Sequence, residues 1–262
     1  MLLFNSTFFD DISNHSSFYI HNIVIMFVLF KLFNRIYAPK LSRKLFASRY
    51  DALTWLQRVE WDSRVTSTVH AIIVGVYAIL ELLFDSSIYE SPATDASMSV
   101  RLATTVLLGY LFHDLFLIIR YFKVFRDFGS IVHHGLAIAS YCILLFNGSY
   151  PFFGMYRLLS ELSTPMVNVR WFLSSVGTNK NSVPYMVTGL LMMCSFFAIR
   201  ILPLPHFWHV LYSNCFTFDS PCAFLPFMLV AGVIMDSLNM FWFKKMVCGA
   251  WSMLRSKSTK IQ

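Results

Sequence analysis

Charged residues are scarce in this chain of 262 residues. Only 13% are Asp, Glu, Lys or Arg, whereas 56% are hydrophobic and 17% are aromatic. A composition this apolar excludes an ordinary soluble domain, and the chain is too long for a single membrane span. We therefore predict an all-α, polytopic membrane helix bundle without a soluble second domain.

Motifs for several common chemistries are also absent. The sequence has no His and Cys spacing typical of a metal site, no phosphate-binding glycine loop, no nucleophile turn of the Gly-x-Ser-x-Gly type and no internal repeat. These absences disfavour metal-dependent, nucleotide-hydrolysing and serine-hydrolase functions. We expect neither a metal nor a resident cofactor.

No basic residue precedes the first apolar run. The run follows Asp10 and Asp11 and is followed by Arg35 and Lys40, which reverses the charge order of a cleavable signal peptide. The sequence therefore predicts an uncleaved first span.

Apolar windows long enough to cross a hydrocarbon core of about 30 Å predict about seven membrane helices. The windows cover residues 18–37, 65–84, 100–122, 131–146, 152–173, 184–203 and 222–243. The fifth window is the weakest, because Arg157, Glu161, Pro165 and Asn168 interrupt it.

Lys and Arg alternate between the predicted loops. They concentrate in residues 38–64, 123–126 and 244–260, whereas residues 85–99 and 204–221 contain none. The positive-inside rule then predicts a lumenal N-terminus and a cytosolic C-terminus. Attraction to anionic lipid headgroups accounts for the net charge of +7, so no nucleic-acid partner is expected. Cys215 and Cys222 flank the last lumenal loop, and their pairing stays open.

Ionisable residues at matching depths on different predicted spans indicate a polar layer inside the bundle. Counted inward from the cytosolic ends at 1.5 Å per residue, five of them lie about 9 to 12 Å deep. These five are His70, Asp114, His133, His134 and Asp236. Asn168 lies nearer that surface, Glu161 lies deeper, and Asn239 is one helical turn from Asp236. Because such groups are costly in contact with lipid, we expect one shared cavity that opens toward the cytosolic leaflet.

A structural role is the alternative for these polar residues. Interhelical polar contacts in membranes contribute about 0.6 kcal/mol on average, and many of them only join helices. Arg157 and Glu161, four residues apart, are expected to neutralise each other. The adjacent His133 and His134 lie on different faces of the helix, so one of them faces the interior of the bundle and needs a role there. Function is therefore favoured for this pair.

Five strings occur in the chain in a fixed order. They are residues 59–70 (VEWDSRVTSTVH), residues 109–111 (GYL) ahead of Asp114, residues 133–135 (HHG), residues 157–165 (RLLSELSTP) with Asn168, Arg170 and Trp171, and residues 235–239 (MDSLN). Together they resemble the TLC domain, which ceramide synthases, translocating-chain-associated proteins and lipid-homeostasis proteins share. The resemblance covers about residues 55 to 250.

The resemblance implies a bundle of membrane helices around a lipid-sized cavity, residence in the endoplasmic reticulum and a role in membrane lipid balance. In ceramide synthases, paired histidines are thought to serve acyl transfer from acyl-coenzyme A to a sphingoid amine. His133 and His134 match that pair in position. Ceramide synthases continue with aspartates on the next helix, where this sequence reads Glu-Leu-Ser-Thr-Pro at residues 161–165.

Two functions follow from the resemblance. The favoured one is a non-enzymatic protein that binds or handles a membrane lipid, with a cavity lined by His70, Asp114, Glu161, Asn168, Asp236 and Asn239. The alternative is an acyltransferase with acyl-coenzyme A as co-substrate, in which His133 or His134 is the general base or transient acyl acceptor and Glu161 orients it. A homo-oligomer stays open.

Three regions are expected along the chain. Residues 1–54 form the lumenal N-terminus, the first span and a basic cytosolic loop. Residues 55–250 form the TLC domain, and residues 251–262 form a basic cytosolic tail.

Overall fold

The computed structural model describes residues 6–216 and 224–258, and this part of the chain is helical without a strand. The all-α prediction is confirmed. The helices are α1 (Ser6–Leu32), α2 (Ala38–Asp51), α3 (Trp55–Phe84), α4 (Ser87–Glu90), α5 (Met98–Arg120), α6 (Phe122–Phe125), α7 (Phe128–Asn147), α8 (Pro151–Leu158), α9 (Thr164–Ser175), α10 (Val183–Phe196), α11 (Leu204–Cys215) and α12 (Leu225–Ser258). A π-helical turn, Phe33–Tyr37, joins α1 to α2; a 3₁₀ turn, Leu159–Ser163, joins α8 to α9; and a second π-helical turn, Phe197–Ile201, follows α10.

The loops gather at the two ends of α3, a helix about 45 Å long at 1.5 Å per residue. At its first residue, the Trp55 ring contacts Tyr121 with centroids 5.7 Å apart, and the nearby Arg49 donates to the Val176 carbonyl oxygen at 3.4 Å. We call the end of the bundle at which α3 begins the basic end. At the opposite end, the loops at residues 85–97 and 148–150 are joined by hydrogen bonds from Ala96 N to Gly148 O and from Tyr150 N to Ala93 O, at 3.0 and 2.9 Å.

Six helices in residues 6–216 and 224–258 are long and apolar enough to cross a membrane. They are Ser16–Asp51, Trp55–Phe84, Met98–Arg120, Phe128–Asn147, Val183–Cys215 and Leu225–Ser252. The predicted span at 152–173 is instead a broken helix made of α8, the 3₁₀ turn and α9. It nevertheless runs from Tyr150 at the opposite end to Val176 at the basic end. The chain therefore passes seven times between the two ends.

Proline explains the break in this segment. Pro165 lies in the first turn of α9 and has no N–H to donate to the carbonyl group four residues earlier, so the chain tightens into the 3₁₀ turn before it. The turn packs closely on α3, because a Cβ atom at Gly75 would lie 2.6 Å from Cδ2 of Leu162. Glycine at residue 75 thus lets the broken helix approach α3.

The pairing of Cys215 and Cys222, which the sequence leaves open, cannot be placed in this architecture. Cys215 is buried at the end of α11, and Cys222 lies outside the described residues. The question of this disulfide stays open.

Candidate functional site

Two adjacent cavities lie among α3, α5, α7, the broken helix, α10, α11 and α12. The first, which we call the vestibule, reaches the basic end and encloses about 1420 Å³ including its mouth; polar side chains such as Ser63, Asp127 and Lys245 line it. The second, the inner chamber, lies further toward the opposite end and encloses about 1120 Å³ including its mouth; apolar side chains such as Leu144 and Phe153 dominate its wall. The vestibule is therefore the more polar of the two cavities, and the inner chamber is the more apolar one.

Four residues line both cavities and mark the boundary where the cavities meet, which we call the throat. They are Leu111, His133, Glu161 and Arg200. The throat brings together α5, α7, the 3₁₀ turn and the π-helical turn after α10. A molecule that occupies both cavities must pass these side chains.

His134 is held by hydrogen bonds at both ring nitrogens. Asp127 caps α7 by accepting from Ser130 N at 3.1 Å, and one turn further on Nδ1 of His134 donates to the Ser130 carbonyl oxygen at 2.7 Å. Its Nε2 lies 3.1 Å from Oδ2 of Asp114 on α5, whose Oδ1 accepts from the Ser63 hydroxyl at 3.0 Å. A carbonyl oxygen can only accept, so Nδ1 carries a proton, and a second proton joins Nε2 to Oδ2. This histidine is fully engaged within the protein.

His133 differs from its neighbour. Its Nδ1 is buried and has no hydrogen-bond partner in the described part of the chain. The ring packs on Trp242 of α12, with centroids 5.5 Å apart, and lies at the throat. His133 is therefore the member of the pair whose ring keeps a nitrogen without a hydrogen-bond partner among the described residues.

Asn168 joins α9 to α3 at the wall of the vestibule. Its Nδ2 donates to the Arg64 carbonyl oxygen at 3.1 Å and to the Thr68 hydroxyl at 3.0 Å, and its Oδ1 accepts from the Arg64 guanidinium at 3.2 Å. Arg64 also donates to Glu60 at 3.0 Å and lies over the Trp171 ring. This cluster fixes the vestibule wall.

The expected pair between Arg157 and Glu161 does not form. Arg157 donates to both carboxylate oxygens of Asp236 on α12, and Asp236 also accepts from Trp208 Nε1 at 2.8 Å. Glu161 instead accepts from the Thr164 hydroxyl at 3.1 Å and lies 3.9 Å from Arg200. The expectation was wrong because a 3₁₀ turn has about three residues per turn, which places residues four apart roughly 120° round the axis instead of 40°.

The structure brings most of the predicted site residues together. Asp114, His133, His134, Glu161 and Asn168 line the vestibule, and Asn239 lines the inner chamber. Glu161 makes no hydrogen bond to either histidine in the described residues, since Asp114 and the Ser130 carbonyl orient His134.

Two predicted lining residues lie elsewhere. Asp236 is 8% exposed and lies behind Arg157, which covers it with a charge-paired contact. The His70 ring stacks on Tyr110 at 3.6 Å and contacts Phe30, so the Tyr110 side chain, not His70, faces the vestibule. An aromatic stack covers His70 in place of a polar partner.

Sequence reasoning missed two residues of the throat region, Arg200 and Trp242. Arg200 lies inside an apolar window, and an intramembrane cation is itself a signal of function. It belongs to the π-helical turn Phe197–Ile201, a kind of irregularity that is frequent at functional sites. Trp242 carried no signal, because an aromatic residue near a span end is ordinary.

Comparison with known proteins gives a consistent result. The TLC domain profile matches residues 60–248. TLC domain-containing protein 4 of Xenopus tropicalis is 34% identical over 238 residues, which is 88% of this chain and 90% of that protein. The human protein of the same name is 34% identical over 206 residues, covering 76% of this chain and 77% of its own length. Topoisomerase I damage affected protein 4 of Saccharomyces cerevisiae is 28% identical over 257 residues, covering 92% and 88%. No solved structure matches the chain.

Proposed function

The chain belongs to the TLC domain family and is a multi-pass membrane protein, and from this premise we propose that it binds a membrane lipid and contributes to membrane lipid homeostasis. The lipid's polar group occupies the vestibule, and its acyl chain occupies the inner chamber. The endoplasmic reticulum is the proposed residence, with the N-terminus lumenal and the basic end cytosolic.

The change of polarity along the two cavities carries this proposal. Charged and hydroxyl groups line the vestibule, including Arg64, Asp127 and Lys245, whereas Leu107, Leu144 and Phe153 line the far part of the inner chamber. An amphiphile matches such a space because its polar group needs hydrogen-bond partners and its chain gains by leaving water. Between His133 and Leu144, the apolar wall follows α7 for 11 residues, or about 16 Å.

An acyltransferase is the second candidate, and the throat supplies the observation in its favour. Within the part of the chain that the structure describes, His133 has a buried ring nitrogen without a hydrogen-bond partner, at the point where the polar end of an acyl chain would lie. Its weakness is the lack of an orienting carboxylate, since Asp114 is engaged with His134 and Glu161 with Thr164 and Arg200. Lipid binding without turnover is therefore the preferred function.

Blocking the inner chamber tests lipid binding directly. Ser140 lines this chamber on α7, and Ser140→Trp should place an indole where the acyl chain lies. We expect about tenfold weaker lipid binding, because filling an occupied space costs about 1–3 kcal/mol. The measurement is the amount of lipid retained per protein after purification and exchange with a defined phospholipid, read by mass spectrometry.

A matched variant lies on the same helix. Gly135 is exposed, and a Cβ atom there meets nothing within 4 Å, so Gly135→Trp adds the same indole outside both cavities. This control should retain lipid as the wild type does. Equal retention by Ser140→Trp and the wild type would contradict binding in the inner chamber.

A glycosylation reporter tests the proposed orientation. Placed after Gln262, it should stay unmodified, whereas the same reporter in the 85–97 loop at the opposite end should be glycosylated. The reason is that Lys and Arg concentrate at the basic end, where α12 finishes. A modified reporter after Gln262 would reverse the orientation.

A further inference from the structure

Arg200 is a buried cation that the protein neutralises only weakly. Its side chain is 9% exposed. Its Nε donates to the Ser163 hydroxyl at 2.8 Å, and its two terminal nitrogens donate to Asn239 Oδ1 and the Thr164 hydroxyl, each at 3.3 Å. All three acceptors are neutral. The Glu161 carboxylate is 3.9 Å away and accepts no hydrogen bond from Arg200 among the described residues.

The number of N–H donors on Arg200 shows how many further hydrogen bonds its guanidinium group can make. A guanidinium group has five N–H donors, and three are used here, so two have no acceptor in the part of the chain that the structure describes. Arg157, the other arginine on the inner chamber wall, differs because it is paired with both oxygens of Asp236. Burying a charge is costly unless a counter-charge and hydrogen bonds compensate for it. Arg200 therefore has a carboxylate nearby at 3.9 Å but lacks the direct hydrogen bonds to a carboxylate that Arg157 makes.

The position of Arg200 indicates what supplies the missing acceptor. Arg200 and His133 line the same throat, and the buried Nδ1 of His133 also has no partner in the described residues. On one side of them lies the polar vestibule and on the other the apolar inner chamber. A group that accepts hydrogen bonds from Arg200 and is attached directly to an apolar chain fits this position.

We infer that the throat binds the anionic oxygen group of an acyl lipid, held by Arg200 and His133 with the chain in the inner chamber. The shared chemistry is a carboxylate or a phosphate, from a fatty acid or from a lipid headgroup. Charge-assisted hydrogen bonds from a guanidinium group to either anion are short and strong, and they are stronger still away from water. The inference rests on the proposed function, because it names the chemistry of the lipid in the same cavities.

Two pairs of probes that differ in the anionic group test this inference on the purified full-length protein. Oleate is compared with oleyl alcohol, and oleoyl lysophosphatidate with mono-oleoylglycerol, by calorimetric titration in one detergent after delipidation. We expect the wild type to bind at least one anionic probe about tenfold tighter than its neutral counterpart. The pair that shows this preference identifies the carboxylate or the phosphate as the source.

Arg200→Gln should reduce this preference to about twofold or less while the neutral probe binds as before, because only the charge-assisted contact is lost. Arg120→Gln is the matched control, since Arg120 is exposed at the end of α5 and lines neither cavity. That variant should keep the preference. An unchanged preference in Arg200→Gln would overturn the inference.

A second variant gives a gain instead of a loss and does not depend on the folding of Arg200→Gln. Glu161→Gln removes the carboxylate nearest to Arg200 and keeps an oxygen that can accept from Thr164. The preference for the anionic probe should rise about threefold or more, because Arg200 is then free of a competing charge. No rise would contradict the inference. If the wild type binds the anionic and the neutral probe of each pair saturably and equally well, this inference is wrong but the proposed function stands. If the wild type binds none of the probes saturably, the proposed function is wrong as well.

Discussion

Replacing Asp236 with alanine is expected to lower the free energy of unfolding by about 3 kcal/mol, the low end of the range for breaking a buried ion pair. The variant leaves Arg157 with no carboxylate partner and removes the acceptor of Trp208 Nε1. The low end applies because the Arg157 side chain is 23% exposed toward the inner chamber and can recover some solvation. Unfolding in detergent, followed by circular dichroism, measures the loss.

An exposed ion pair in the same chain provides the control. Arg43 and Asp51 lie 3.2 Å apart, with side chains 52% and 53% exposed. Asp51→Ala should cost less than about 1 kcal/mol, because water screens the pair and solvates the remaining charge. If Asp236→Ala cost no more than Asp51→Ala, the pair between α8 and α12 would not be a stabilising contact.

Replacing His134 with alanine should lower the free energy of unfolding more than replacing His133 with alanine. His134→Ala should cost about 2 kcal/mol, because it takes from the buried Asp114 carboxylate its partner on α7. His133→Ala should cost less than about 1 kcal/mol, because it removes a buried nitrogen that has no partner among the described residues and only part of the contact with Trp242. Both values come from the same unfolding measurement.

This inequality also separates the two candidate functions. His133→Ala keeps the fold, so it can be assayed for transfer of an acyl group from acyl-coenzyme A to a sphingoid amine. We expect the wild type to form no ceramide and His133→Ala to change only lipid affinity. Ceramide formation by the wild type that His133→Ala abolishes would favour the acyltransferase instead. Similar losses of stability in the two variants would contradict the hydrogen-bond assignment at His134.

Much of the architecture could be predicted, because a membrane span requires a long run of apolar residues and such runs are visible in the sequence. Six of the predicted windows correspond to long helices, and the interrupted window corresponds to the broken helix. The similar depth predicted for Asp114, His133 and His134 agrees with their place in one vestibule, since distance along a straight helix follows from residue count alone.

Direction around a helix was predicted less well, because it depends on local winding. Because of the 3₁₀ turn, Arg157 points toward Asp236, and Glu161 lies near Arg200 instead. Arg200 itself lies at the throat, in the π-helical turn Phe197–Ile201. Neither turn has a signature that fixes its residues beyond Pro165. Aromatic stacking on Tyr110 likewise gave His70 a neighbour that no polarity pattern predicts.

The pair between Arg157 and Asp236 also has a consequence for biosynthesis. The two residues are 79 positions apart, and ribosomes add about 5–20 residues per second, so Arg157 waits about 4–16 s for its partner to be made. During that interval the broken helix carries a cation without its carboxylate partner, and Arg157, Glu161 and Arg170 interrupt its apolar sequence. We therefore expect its stable insertion to depend on the arrival of the last helix, so that a ribosome that stops before residue 236 leaves this segment unassembled.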